Sequence, residues 1–171
     1  MEKNKYLTFR ARIMLEISNL DKLEDELKGM ELYPEIKATT VKGLPVEDIV
    51  IVRAIAGIVN DYYTCIERIL SVTARTIDNF MPADESWHIE LIEQMSNDIP
   101  GVRPNVISSN NVELLKDLRS YRHVFRGKYG FNLDINKLFD ILQYLPRLSI
   151  SFRYDIELFL TKIEALYNID Y

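Results

Sequence analysis

The sequence predicts an all-α fold, an antiparallel helical bundle, and three observations lead there. Apolar residues recur at three- and four-residue intervals over long stretches, the spacing that keeps one helix face dry. Glycine and proline are scarce, six of each in 171 residues, too few for an all-β chain with frequent turns. No strand-like alternation bounded by turn residues is long enough to compete. At 47% hydrophobic and 27% charged, the chain has the balance of one globular domain over 1–171, with a long N-terminal helix over 6–30 and a core bundle over 46–168.

The first helix is expected from Tyr6 to Met30, with Phe9, Ile13, Ile17, Leu20, Leu23 and Leu27 on its stripe. Tyr33-Pro34 to Gly43-Leu44-Pro45 carries loop punctuation. The second helix, Val46 to about Asp78, has two stripes. Ile51, Ile55, Ile58, Tyr62, Ile66, Ile69 and Thr73 form one, and Val52, Ala56, Val59, Tyr63 and Leu70 the other. Two stripes mean burial on two sides, as the centre of a bundle or as a dimer seam.

Ser86 is placed to cap a short third helix reaching about Ser96, before Pro100-Gly101 and Pro104 break the pattern. A fourth helix is expected from Val112 toward Tyr129, fraying at Gly127 and Gly130. Asp134 is suited to cap a fifth helix bearing Ile135, Leu138, Leu142 and Leu145. Pro146 then reads as a first-turn residue of a sixth, with Ile150 or Phe152, Ile156, Phe159, Ile163 and Leu166 buried. Helices of this length with short connections pack most simply as antiparallel neighbours.

Composition excludes several classes. A single cysteine, Cys65, permits no intrachain disulfide and no four-cysteine zinc site, and its position on a core-facing arc assigns it to packing. The N-terminus lacks the pattern of a signal peptide, and the most apolar window, Ile49 to Val59, is cut by Arg53 and is too short to cross a bilayer. The expected address is cytoplasmic, with no membrane partner. A net charge of −5 speaks against a general nucleic-acid coat. No glycine-rich phosphate loop, metal-binding helix or calcium loop is present, so no cofactor or metal is expected. Of the two histidines, His88 beside Trp87 reads as a surface residue near a helix start.

The informative stretch runs from Lys116 to Lys128. It holds five basic residues, Lys116, Arg119, Arg122, Arg126 and Lys128, against one acid, Asp117. Cationic charge is thus concentrated on one helix of an acidic molecule. At about 100° per residue, Arg119, Arg122, His123, Arg126 and Tyr129 share an outward arc, and Leu114, Leu118, Tyr121 and Phe125 a packing arc. Such a strip suits a phosphate, which arginine grips bidentately, while His123 adds a proton acceptor and donor near neutral pH. Arginines on a helix are more usually a solvated face that meets acidic neighbours, and spacing alone favours that reading.

In this region the chain resembles the HEPN superfamily, and within it the HepT-like ribonuclease toxins encoded with a small nucleotidyltransferase antitoxin. The likeness is carried by Tyr62 to Ile69, Glu85 to Leu91, Ile99 to Pro104, Arg122-His123-Val124-Phe125-Arg126 and Phe131-Asn132-Leu133-Asp134. It spans about Asp61 to the C-terminus. The toxins' motif is an arginine followed by a polar residue, then a histidine and, two positions later, a tyrosine. Here Arg122 matches the arginine, His123 the polar residue and Tyr129 the tyrosine, while Gly127 stands where the histidine would be. Arg119 and His123, four residues apart, form an alternative pair on one face.

The resemblance implies metal-independent RNA cleavage in a two-fold groove between two protomers. A ribose 2′-hydroxyl attacks the neighbouring phosphate, with Arg122 and His123 catalytic and Arg119 and Arg126 in support. It also implies partners: RNA (tRNA among the candidates), a second copy of the chain, and a nucleotidyltransferase antitoxin that transfers AMP to Tyr129. The alternatives are a catalytically silent HEPN dimer that binds RNA, a nucleotide or its nucleotidyltransferase partner, which Gly127 favours, and a helical dimerisation module without a ligand.

Overall fold

Two long helices, α1 (Lys3–Gly29) and α2 (Ile49–Thr73), lie against each other along most of their length in the computed structural model, which describes residues 1–127 and 133–169. On α1 the inward stripe is Tyr6, Phe9, Ile13, Leu20 and Leu27, all buried. Asp48 caps α2, its carboxylate accepting the backbone N–H of Val50 at 2.8 Å. Both expected stripes of α2 are buried in full, and Cys65 is packed among them. This helix therefore sits at the centre, touching α1, α3, α4 and α5. With its π-helical extension Ala74–Asp78 it is long and apolar enough to cross a membrane by length and composition, but more than half of that window is buried inside the bundle. The apolar run is longer than the Ile49 to Val59 window suggests because the helix is wrapped on two sides.

Between α1 and α2, where the sequence reads as loop, Thr40–Val41 (β1) and Leu44–Pro45 (β2) pair antiparallel across Lys42 and Gly43. Both turn residues have positive φ, 51° and 80°, as a tight two-residue hairpin turn requires. Two-residue strands leave no alternation to read.

The remaining helices are α3 (Trp87–Ser96), α4 (Ser109–Gly127) and α5 (Ile135–Leu166). Ser86 makes no cap bond to the helix. Its hydroxyl turns instead to Asp84 and Glu90, at 2.8 and 2.6 Å. Asp134 does cap α5, accepting Lys137 N–H at 3.2 Å.

The expected fifth and sixth helices are one. Pro146 lies inside α5, where it withdraws one backbone donor without ending the helix. Leu142, Leu145, Leu148 and Phe152 carry the buried stripe straight through the proline, and that continuous packing holds the helix together. Phe152, Ile156, Phe159 and Ile163 are buried as expected, whereas Ile150 is exposed because it falls on the opposite face and Leu166 because it is the last residue of the helix. The architecture is an all-α helical bundle with one minimal hairpin.

Buried polar residues tie the layers together. Glu24 on α1 accepts from Tyr62 of α2 at 3.0 Å and from Ser149 and Arg153 of α5 at 2.6 and 2.9 Å. Arg103, in the loop before α4, donates to both Asp78 oxygens at 2.6 and 2.8 Å and to the carbonyls of Asn97, Pro104 and Gln94.

Candidate functional site at the junction of α2, α3 and α4

Three attachments fix the position and rotation of α4. At its start, Asp155 of α5 accepts Ser108 N–H at 2.7 Å and Asn111 Nδ2 at 2.6 Å. In its middle, Asp117 accepts from Lys137 at 2.5 Å and from the Tyr144 hydroxyl at 3.0 Å, both on α5. Lys116 reaches Glu93 of α3 at 2.9 Å. With Leu115, Leu118 and Tyr121 buried, the edge bearing Arg119 and Arg122 is turned toward α2 and α3.

Arg122 does not project outward as the helical arc suggests. Its side chain is only 12% exposed, with the guanidinium carbon 5.4 Å from the centre of the Tyr63 ring and Nη2 3.6 Å from Glu67 Oε1. Tyr63 and Glu67 lie one turn apart on α2 and are both buried. The inward turn places the cation against a buried carboxylate and an aromatic face, and the buried Glu67 would otherwise carry an uncompensated charge.

The other oxygen of Glu67, Oε2, lies 2.6 Å from His88 Nδ1. The two atoms are at ion-pair distance without forming an aligned hydrogen bond. His88 is 17% exposed in its side chain and stacks on Trp87, with ring centres 3.6 Å apart and an interplanar angle of 27°. It is thus a half-buried partner of Glu67 and not the surface residue its sequence context suggests.

Electrostatics bind this group into one unit. Burial holds His88 below its usual pKa, and Arg122 and Arg119 push the same way, against the opposing pull of Glu67. Burial likewise pushes the Tyr63 hydroxyl up, helped by Glu67 and opposed by the two arginines. Arg122 Nε, Glu67 Oε2 and His88 Nδ1 are all buried without an aligned hydrogen-bond partner. Two of these atoms, Glu67 Oε2 and His88 Nδ1, face each other, so Arg122 Nε is the donor that the fold leaves unused among the described residues.

The expected site residues are therefore distributed unequally. Arg122 comes together with Tyr63, Glu67 and His88, and Arg119 acts on Tyr63 and His88 through its charge. His123 is exposed on α4. Arg126 falls on the last turn of α4, with its side chain outside the described residues, and Tyr129 lies outside them entirely.

Glu67 and His88 were not evident as site residues from the sequence. A signal for Glu67 does exist: on the second stripe of α2, Val59, Tyr63 and Leu70 are spaced so that Glu67 falls between them, an acid on a buried face. Such a group requires a partner. Among the described residues no cluster of histidine, cysteine, aspartate and glutamate is arranged to hold a metal ion.

Neither the curated proteins nor the solved structures yield a match to this chain. A family model described as HepT-like protein does match, over residues 54–163, a span that includes the whole of the α2–α3–α4 junction. That span is well over half of the chain, and the chain belongs to the HepT-like family of HEPN proteins.

Proposed function

We propose that this protein is the toxin half of a toxin–antitoxin pair, a cytoplasmic, homodimeric endoribonuclease that cuts RNA without a metal ion. The observation that carries the reading is the half-buried cluster at the α2–α3–α4 junction, in which Arg122, whose Nε has no partner among the described residues, and the imidazole of His88 share the Glu67 carboxylate while the charge of Arg119 acts on the same ring. A largely buried arginine with a spare donor is suited to a phosphodiester oxygen. The cluster lies within the part of the chain matched by the HepT-like family.

In this reading Arg122 and Arg119, with Arg126 in support, hold the phosphate and stabilise the charge that builds up as the 2′-oxygen attacks. With Gly127 at the motif's histidine position, His123 is the imidazole that the sequence of α4 offers for proton transfer. A nucleotidyltransferase partner moves AMP from ATP to the Tyr129 hydroxyl, releasing pyrophosphate, and blocks the groove with bulk and negative charge.

Gly127 supports a second reading, a silent HEPN dimer that binds RNA, a nucleotide or its nucleotidyltransferase partner, since glycine transfers no proton. Purified protein incubated with total tRNA in EDTA separates the two. Under the first reading the RNA is cut, and Arg122→Gln lowers turnover more than retention of RNA in a gel. Retention without cutting favours the second. Intact-mass measurement after co-expression with a nucleotidyltransferase encoded beside it tests Tyr129: a mass increased by one AMP supports the pairing, and an unmodified chain counts against it.

A further inference from the structure

Gly127 carries no functional group and His123 is exposed on α4, yet an imidazole does stand beside Arg122, delivered from a different helix. We propose that His88 on α3 is the proton-transferring group of this site, with Glu67 as its positioning residue. The proposal rests on the ribonuclease reading above and assigns that reading its base.

The geometry argues for it in three steps. First, a carboxylate oxygen lies 2.6 Å from Nδ1, and although the two are not aligned as a hydrogen bond, so close an anion favours the tautomer that carries its proton on Nδ1. The neutral ring therefore keeps its lone pair on Nε2, the atom on its far side, and among the described residues no hydrogen bond occupies Nε2. Second, the ring plane is fixed from both directions, by the Trp87 stack and by Glu67. Third, the same carboxylate faces Arg122 through its other oxygen, so the base and the cation share one anchor. The charged groups acting on His88 are Glu67 from α2 and Arg122 and Arg119 from α4, and burial with the two arginines outweighs the pull of Glu67 and holds the ring below its ordinary pKa.

In the reaction His88 Nε2 accepts the proton of a ribose 2′-hydroxyl as that oxygen bonds to phosphorus. The bond from phosphorus to the 5′-oxygen breaks, and that oxygen takes a proton from water. The imidazolium returns its proton to the hydroxide so formed. The products are a 2′,3′-cyclic phosphate and a 5′-hydroxyl, and nothing is oxidised or reduced.

The test measures initial rates of tRNA cleavage in EDTA for the full-length wild type, His88→Ala, His88→Gln and His123→Ala. Gel retention of the same RNA and helical circular dichroism are measured in parallel. The expected result is a rate loss of about 100-fold or more for both His88 variants. Retention stays within about threefold of wild type, and free imidazole restores part of the rate to His88→Ala, a rescue that a merely structural role would not give. Should His88→Ala be misfolded, the near-isosteric His88→Gln decides the matter. The inference is overturned if the wild type cuts and a folded His88 variant cuts at the wild-type rate, or if its rate and retention fall together without rescue. A wild type that does not cut overturns the ribonuclease reading itself, and this inference with it.

Discussion

Arg103 and Asp78, 25 residues apart in sequence, form a two-pronged ion pair at 2.6 and 2.8 Å with side chains 0% and 3% exposed. Asp78 closes the π-helical end of α2, and Arg103 lies in the loop that leads into α4, so one guanidinium sets the distance between the two helices that build the candidate site. Removing either partner strands the other's charge in the interior. Arg103→Met is expected to destabilise the fold by about 3–5 kcal/mol, as breaking a buried pair does. Urea unfolding monitored by circular dichroism measures it, and a loss below about 1 kcal/mol would show that the pair is not the clamp described. Arg103→Lys should recover only part of the loss, since an ammonium does not reproduce the fork that meets both Asp78 oxygens and three carbonyls.

Glu24 makes the corresponding junction on the other side of the bundle, where one carboxylate oxygen accepts from Tyr62, Ser149 and Arg153. Glu24→Gln keeps the shape and loses the charge that faces Arg153. The expected loss is about 1–3 kcal/mol. Glu24→Ala, which also leaves two hydroxyls and a guanidinium short of an acceptor, should cost more. The double variant Glu24→Gln with Arg153→Met is expected to lose less than the sum of the two singles, and additive losses would mean that the residues do not act as a pair.

Pro146 offers a gain. The helix runs through it, yet its ring removes a backbone donor and crowds the carbonyl one turn earlier. Pro146→Ala restores the hydrogen bond, against a smaller penalty from the greater freedom of the unfolded chain. The variant is expected to be more stable by about 1–2 kcal/mol, given that proline in a helix interior is about 3 kcal/mol worse than alanine. A variant no more stable than wild type would mean that Pro146 compensates through packing.

Much of this fold was legible in the sequence because burial on helices leaves a periodic trace. All seven residues of the first α2 stripe and all five of the second are buried. The proline misled for a local reason: sequence rules assign Pro146 to a helix start, whereas the apolar stripe from Leu142 to Phe152 shows it to be tolerated in mid-helix. The hairpin at 40–45 was illegible because two residues carry no period. At the candidate site the sequence placed Arg119 and Arg122 on one helix edge, where they lie, but helical spacing cannot tell whether an edge meets water or a carboxylate. Glu67 and His88 belong to other helices, and only the tertiary fold brings them to Arg122. His123, adjacent to Arg122 in sequence, is about 100° round the helix from it and is exposed.

The pull of Glu67 on His88 makes acid sensitivity a direct reporter of the site. His88 is held below its ordinary value of 6.5, first by burial and then by Arg122 and Arg119, with Glu67 opposing. A depressed histidine binds its proton more readily in the unfolded chain than in the folded one, so its contribution to stability is present above pH 6.5 and is lost as pH falls below that value toward the folded pKa. His88→Gln should flatten that part of the stability profile, as read from urea midpoints between pH 7.5 and about 5. Glu67→Gln removes the one group that favours the protonated ring, which lowers the folded pKa further and extends the loss to more acidic pH. The same substitution weakens His88 as a base, so cleavage of tRNA should slow at neutral pH while the acid limb of its pH–rate profile moves to lower pH. An acid limb that stays in place in Glu67→Gln, with the protein folded, would show that the titrating group is not His88. It also takes a negative charge away from Arg122, so RNA retention in the gel should tighten even as cutting slows. That opposition between binding and turnover separates a positioning role for Glu67 from simple damage to the fold, which would weaken both.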